Sequence, residues 1–185
     1  RSIKIALQEQ KPMSTKTGTR GEMMELKHKT DKVYDESFLD VCHANIRAFF
    51  EFYCSKKQGR SMPSRSDFDP LEMKQYLPSI TLVDVKPETN EFIYRLVGTK
   101  EVEIRGKDPT GKSIQEEFYG ELAEEVEENY RYVKEYKTFL YDHTNEAEKS
   151  SKIIHDETLF LPLSNDDSTV NMIMLFSVQQ YAQNR

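Results

Sequence analysis

At 185 residues, with a formal net charge of −6 and a pI near 5.4, the chain has room for one ordinary domain plus flanking segments. That acidity argues against the clustered Lys and Arg on which phosphate-backbone binding depends, so no nucleic-acid partner is expected. No apolar run approaches the roughly 20 residues of a bilayer span and no secretory signal pattern appears, so the chain reads as cytoplasmic, with no membrane partner.

Residues 1–30 are mostly polar, with a Lys11-Pro12 step and a Thr-Gly-Thr-Arg-Gly stretch ending at Gly21, and read as a flexible leader or arm. From Asp35 onward, Phe38, Val41, Cys42, Ile46, Phe49, Phe50 and Tyr53 recur at three- and four-residue steps. This spacing predicts one amphipathic helix within an N-terminal segment 31–60, ending near Gly59 with Lys56 and Lys57 complementing its dipole. Cys42 and Cys54 then lie about 18 Å apart along one helix, too far for a disulfide, which needs Cα atoms within about 7 Å. Neither cysteine shows metal-type spacing with His28, His43, His143 or His155, so no metal site is expected.

A loop follows from Met62, then a short helix with Asp69 as N-cap, Pro70 at its first position and Glu72 as the reciprocal cap, ending at Pro78. Strands are predicted over 80–85 and 92–97, joined by the hairpin-sized Lys86-Pro87-Glu88-Thr89-Asn90. An irregular stretch over 98–111 leads into a long helix over about 114–136, with Ile114, Phe118, Leu122, Val126, Tyr130 and Val133 as one stripe and a glutamate-rich solvated face. Three further strands are expected at 138–141, 153–163 and 170–179. The last is apolar at nearly every position, so it should be covered on both faces, and the first helix has the length and stripe to cover one of them.

The succession of elements is similar to the PAS fold, and the motifs narrow the resemblance. Met62-Pro63-Ser64-Arg65 with Asp67 and Asp69-Pro70, Leu77-Pro78 before Leu82-Val83-Asp84-Val85, Tyr94-Arg95-Leu96-Val97-Gly98-Thr99, Gly106-Lys107-Asp108 through Thr110-Gly111-Lys112, and Leu161-Pro162-Leu163-Ser164 together look like a family of short, stand-alone bacterial PAS-domain proteins. The resemblance covers roughly 35–180, and the family's usual tryptophan near the end of the first helix is replaced by Tyr53-Cys54. It implies an α+β fold with a five-stranded antiparallel sheet over 61–185, helices on one face, and the N-terminal amphipathic helix on the other face or in a dimer. It also implies a sensory or regulatory module that binds a small molecule or relays a signal by protein contact. The expected partners are a small-molecule ligand, a separate output protein and a second copy in a homodimer.

The candidate ligand pocket between sheet and helices comprises Phe92, Tyr94, Leu96, Phe118, Tyr119, Leu122, Phe160 and Met174. The same residues would equally make the filled core of a purely structural interaction module. The candidate dimer or helix-packing residues are Phe38, Val41, Ile46, Phe49, Phe50 and Tyr53. A rival reading is a nucleotide-binding enzyme, because Gly106-Lys107-Asp108-Pro109-Thr110-Gly111-Lys112-Ser113 fits the phosphate-cradling GxxxxGK[ST] pattern. That loop needs a buried strand before it, and Lys100-Glu101-Val102-Glu103-Ile104-Arg105 is too charged for one. No catalytic constellation stands out, so no enzyme activity is expected. A covalent flavin is not expected because both cysteines precede the first strand. Haem ligation through His143 or His155 is not expected either, and the cofactor is otherwise open.

Overall fold

The computed structural model describes residues 31–118, 121–144 and 153–181. The leader over 1–30, together with His28, lies outside the described residues. The strands are β1 (Asp31–Val33), β2 (Ile80–Val85), β3 (Phe92–Val97), β4 (Leu140–Thr144), β5 (Ile153–Leu163) and β6 (Met172–Tyr181). They form one antiparallel sheet in the order β1-β4-β5-β6-β2-β3. The described helices are α1 (Ala44–Ser55), α2 (Thr99–Arg105), α3 (Ile114–Glu117) and α4 (Glu121–Tyr136).

The sheet has six strands rather than the expected five. The addition is β1, whose Val33 pairs with Tyr141 of β4 and which is too short to display a period of two in the sequence. Strands β2, β3 and β5 fall where the alternation predicts them, whereas β4 and β6 start two residues later than expected. The β2–β3 hairpin closes through Lys86 N–H donating to Glu91 O (2.9 Å), with Asn90 at a φ of 58°, a left-handed conformation that Asn tolerates better than most residues.

The predicted helix from Asp35 is broken in two. A 3-10 turn over Glu36–Asp40 is capped by Asp35, whose Oδ1 accepts from Ser37 N–H at 2.9 Å, and the chain leaves helical geometry at Val41. Helix α1 restarts after His43, whose Nδ1 accepts from Asn45 N–H (3.1 Å) while its own N–H donates to Glu157 Oε2 on β5 (2.8 Å). The carboxylate thus anchors the helix N-terminus to the sheet, where the dipole favours negative charge. The break also places Cys42 outside α1, correcting the expectation that both cysteines share one helix.

Ile46, Phe49, Phe50 and Tyr53 form the buried stripe of α1 and pack on one sheet face with Leu159, Leu161, Met174 and Phe176. The Phe49 and Phe176 rings stack with centroids 4.3 Å apart. Tyr53, standing where the resemblance leads one to expect tryptophan, donates its hydroxyl to Pro162 O at 2.7 Å. Pro162 is tolerated in β5 because β4 pairs only as far as Phe160, leaving no ladder partner on that side. The opposite face carries α2, α3 and α4 over Val83, Phe92, Phe160, Ile173 and Leu175, with Tyr130 of α4 packed among them. Strand β6 is therefore apolar on both sides because it is covered on both: Met174 and Phe176 face α1, Ile173 and Leu175 the other helices.

Two other helical expectations are corrected. The segment after Asp69 forms hydrogen-bonded turns, with Asp69 Oδ1 accepting from Leu71 N–H (2.9 Å), rather than a regular helix. The long helix over 114–136 is divided, because Phe118 adopts extended backbone (φ −123°, ψ 155°) and closes α3 after four residues. The close approach of Gly98 to the Pro78 carbonyl locks the end of β3 under the turn before β2: a Cβ there would lie 2.4 Å from Pro78 O.

Candidate functional site

The helix-side face of the sheet has two halves. At one end Phe92, Tyr130 and Phe160 fill the space, with ring centroids 5.4 and 5.3 Å apart in sequence. At the other end the inward positions turn polar: Asp142 on β4, Asp156 and Thr158 on β5, Ser177 and Gln179 on β6. Here lies a cavity of about 190 Å³, roofed by Glu101 and Arg105 of α2, Phe118, and Val126, Asn129 and Tyr130 of α4. Larger grooves run along the outer side of α4, but the inner cavity is distinguished by polar side chains that are themselves buried.

Several polar wall groups are held by specific partners. Gln179 Nε2 donates to Glu101 Oε1 (3.0 Å), joining β6 to α2. Asn129 Nδ2 donates to Asp142 Oδ2 (2.8 Å), joining α4 to β4. The Thr158 and Ser177 hydroxyls are 3.0 Å apart across the β5–β6 ladder. Arg105 is the last residue of α2, and Gly106 turns the chain away with a φ of 69°. Its guanidinium lies over the rings of Tyr94 (5.3 Å) and Phe118 (5.6 Å), a cation–π arrangement between two aromatic faces. Burial pushes the Tyr94 phenol upward, opposed by the nearby Arg105 charge, and burial followed by the Tyr94 neighbour raises Tyr130 further. Both phenols therefore serve as neutral hydroxyls at ordinary pH.

The residues anticipated for a pocket are divided by this geometry. Tyr94, Phe118 and Phe160 line the cavity. Phe92 belongs to the filled half, in contact with Tyr130. Leu96 is 44% exposed, because a β-bulge shifts the register so that Val83 pairs with Tyr94 but Leu82 with Leu96, sending Tyr94 and Leu96 to opposite faces. Met174 pairs with Leu82 and packs on the α1 side, and the β6 residue facing the cavity is Leu175. Tyr119 and the side chain of Leu122 lie outside the described residues. Of the helix-packing candidates, Phe38, Ile46, Phe49, Phe50 and Tyr53 are buried within this chain, and Val41 is exposed.

The polar wall of Thr81, Glu101, Arg105, Asn129, Asp142, Asp156, Thr158, Ser177 and Gln179 was not anticipated from the sequence. A signal was present in the inward-facing Thr158, Ser177 and Gln179, which interrupt strands otherwise apolar on that face.

The glycine-rich segment is not arranged to cradle phosphate. Helix α2, not a strand, precedes it. Gly111 N–H donates to Tyr94 O (2.7 Å) and Lys112 O accepts from Tyr94 N–H (2.9 Å), so the loop covers the outer edge of β3. Ser113 and Glu116 form a reciprocal cap on α3, and Lys107 pairs with Glu117 at 2.7 Å. His143 stacks on Tyr141 of the α1 side, the side chain of His155 lies outside the described residues, and neither cysteine lines the cavity. Burial raises both thiols, Cys42 further through Glu157. Among the described residues no group of three His, Cys, Asp or Glu could hold a metal ion.

A PAS domain family model matches residues 41–175, from the start of α1 through β5 and into the first residues of β6, while β1 and the cavity-wall residues Ser177 and Gln179 lie outside the matched span. The chain belongs to the PAS domain family. As a PAS domain it is a sensory or regulatory module in general character, and no described helix is long and apolar enough to cross a membrane. No curated protein and no solved structure matches the chain.

Proposed function

We propose that this PAS domain senses a small molecule taken up in the cavity between the sheet and helices α2 and α4. The observation carrying this reading is the cavity of about 190 Å³ whose walls are built from buried polar side chains, an arrangement that costs stability unless those groups find partners. Glu101 and Asn129 tie α2 and α4 to β6 and β4, so a molecule seated among them biases how both helices pack. The module acts in the cytoplasm and delivers its state by contact with a separate output protein, as a homodimer. Because the stripe of α1 is consumed by its own sheet, the second copy would have to meet other surfaces.

Native mass spectrometry of freshly purified protein, alongside its denatured mass, tests the reading. A retained small-molecule mass, or a compound that raises the melting temperature, is the expected result. A clean apo mass with no stabilising compound across a broad metabolite library would leave a filled interaction module instead. Sedimentation velocity checks the pairing: a single species at monomer mass across the micromolar range removes the homodimer.

A further inference from the structure

Two buried amides fix what the cavity asks of its occupant. The Asn129 and Gln179 side chains are only 5% and 8% exposed, and each directs its NH2 to a carboxylate, Asp142 and Glu101 respectively. A carboxylate in its ionised form only accepts, so the amide orientation is set: nitrogen toward the acid, oxygen elsewhere. Asn129 Oδ1 and Gln179 Oε1 are left buried with no hydrogen-bond partner. These two amide oxygens are acceptors, which only a donor can satisfy, while the Tyr94 hydroxyl, also buried without a partner, can serve either way.

Formal charge points the same way. Among the described residues the cavity walls carry three carboxylates, Glu101, Asp142 and Asp156, and one guanidinium, that of Arg105. Yet Arg105 also has a buried Nε–H without a partner, on a guanidinium placed beside the Tyr94 and Phe118 rings, and its planar fork of donors suits a carboxylate. The volume of about 190 Å³ slightly exceeds the roughly 150 Å³ of a cavity that accepts benzene, so the occupant has on the order of six to nine non-hydrogen atoms.

We infer that the ligand is a small zwitterion of the amino-acid class, its ammonium donating to Asn129 Oδ1 and Gln179 Oε1 within the acidic wall and its carboxylate meeting Arg105. This rests on the sensory reading and specifies the chemistry of the same site. Glu101 and Asp142 then act through the amides, holding each oxygen in its accepting position.

The test is isothermal calorimetry and thermal shift on the full chain with four series of probes. These are small L-amino acids from glycine to L-valine and L-aspartate, the matching amines lacking the carboxylate, the matching 2-hydroxy acids lacking the ammonium, and a set of neutral sugars and nucleobases. At least one amino acid is expected to bind, with its amine and hydroxy-acid counterparts weaker by roughly tenfold or more. Arg105→Met and Gln179→Leu, each first shown folded by circular dichroism, should weaken that amino acid by a similar factor. The matched probe series on the unaltered protein carries the test if either variant fails to fold. Binding confined to the amines, hydroxy acids, sugars or bases overturns the zwitterion while leaving a sensor. Silence in every series together with a clean native mass removes the sensor and the zwitterion together.

Discussion

Gly98 illustrates how a single residue can carry a fold junction. Its missing Cβ lets the end of β3 pass close to the Pro78 carbonyl, whose oxygen would lie 2.4 Å from an added methyl, and its N–H donates to Ile80 O at 2.8 Å. Gly98→Ala should destabilise the chain by about 2 kcal/mol or more, because the obstructing atoms are backbone and cannot swing aside; a urea midpoint unchanged from wild type would refute the junction. Asp166 acts at the same scale in the loop before β6. Its carboxylate accepts from the N–H groups of Thr169 (2.7 Å) and Ser168 (2.9 Å) and from Ser164, which together hold it far below its ordinary value of 3.8. A depressed folded-state value means the contribution is complete above the unfolded value and disappears as pH falls through the folded one. The urea midpoint should therefore drop below about pH 4, and Asp166→Asn should flatten part of that drop while lowering the midpoint at neutral pH. The turn itself was legible in Ser164-Asn165-Asp166-Asp167-Ser168, whereas the choice of Asp166 as its hub was not, since either aspartate fits the composition. Asp167 is used differently, accepting from Ser61 and Met62 N–H at 2.9 and 3.0 Å.

At the scale of elements, α1 is an integral wall of the core rather than an appendage. Phe49 is fully buried and stacked on Phe176, so Phe49→Ala should cost about 3–5 kcal/mol, while a helix docked only through self-association would lose less than about 1 kcal/mol in dilute solution. Equilibrium unfolding at low micromolar concentration separates the two. Glu157 performs the second anchoring task. It is 2% exposed and accepts from His43 N–H and the Tyr141 hydroxyl (2.9 Å), so Glu157→Ala leaves two donors unmet and should destabilise by about 2–4 kcal/mol, with amide exchange at the start of α1 accelerating first. The apolar stripe made α1 legible from Ile46 to Tyr53 and the alternation made β2, β3 and β5 legible. The breaks at Val41 and Phe118 were not, because the apolar spacing runs across both and the interruption is enforced from outside by Glu157 and by the turn of Phe118 toward Arg105.

For the whole molecule, the sheet lies between α1 and the α2–α4 layer, and at the cavity polar groups replace the ring packing of the second layer. Ligand uptake at a hundredfold its Kd would add about 2.7 kcal/mol, which for a chain of this size should raise the melting temperature by about 5–10 °C, measurable by scanning calorimetry. Strands β2 to β6, the apolar stripes of α1 and α4 and the covering of β6 on both faces were legible in the sequence, because periods of 2 and 3.6 and unbroken apolar runs are local consequences of burial, while the antiparallel sheet was implied by the resemblance to PAS domains. The cavity was decided only in three dimensions. Its polar walls come from α2, α4, β2, β4, β5 and β6, one or two residues each, and no local period relates residues of different elements. Even within a strand the facing residue depended on register: the bulge opposite Leu82 and Val83 separates Tyr94 from Leu96, and the pairing of β6 with β2 turns Met174 away from the cavity and Leu175 toward it. Register is set by contacts between strands distant in the chain, so the residues that share a site became known only when the sheet was assembled.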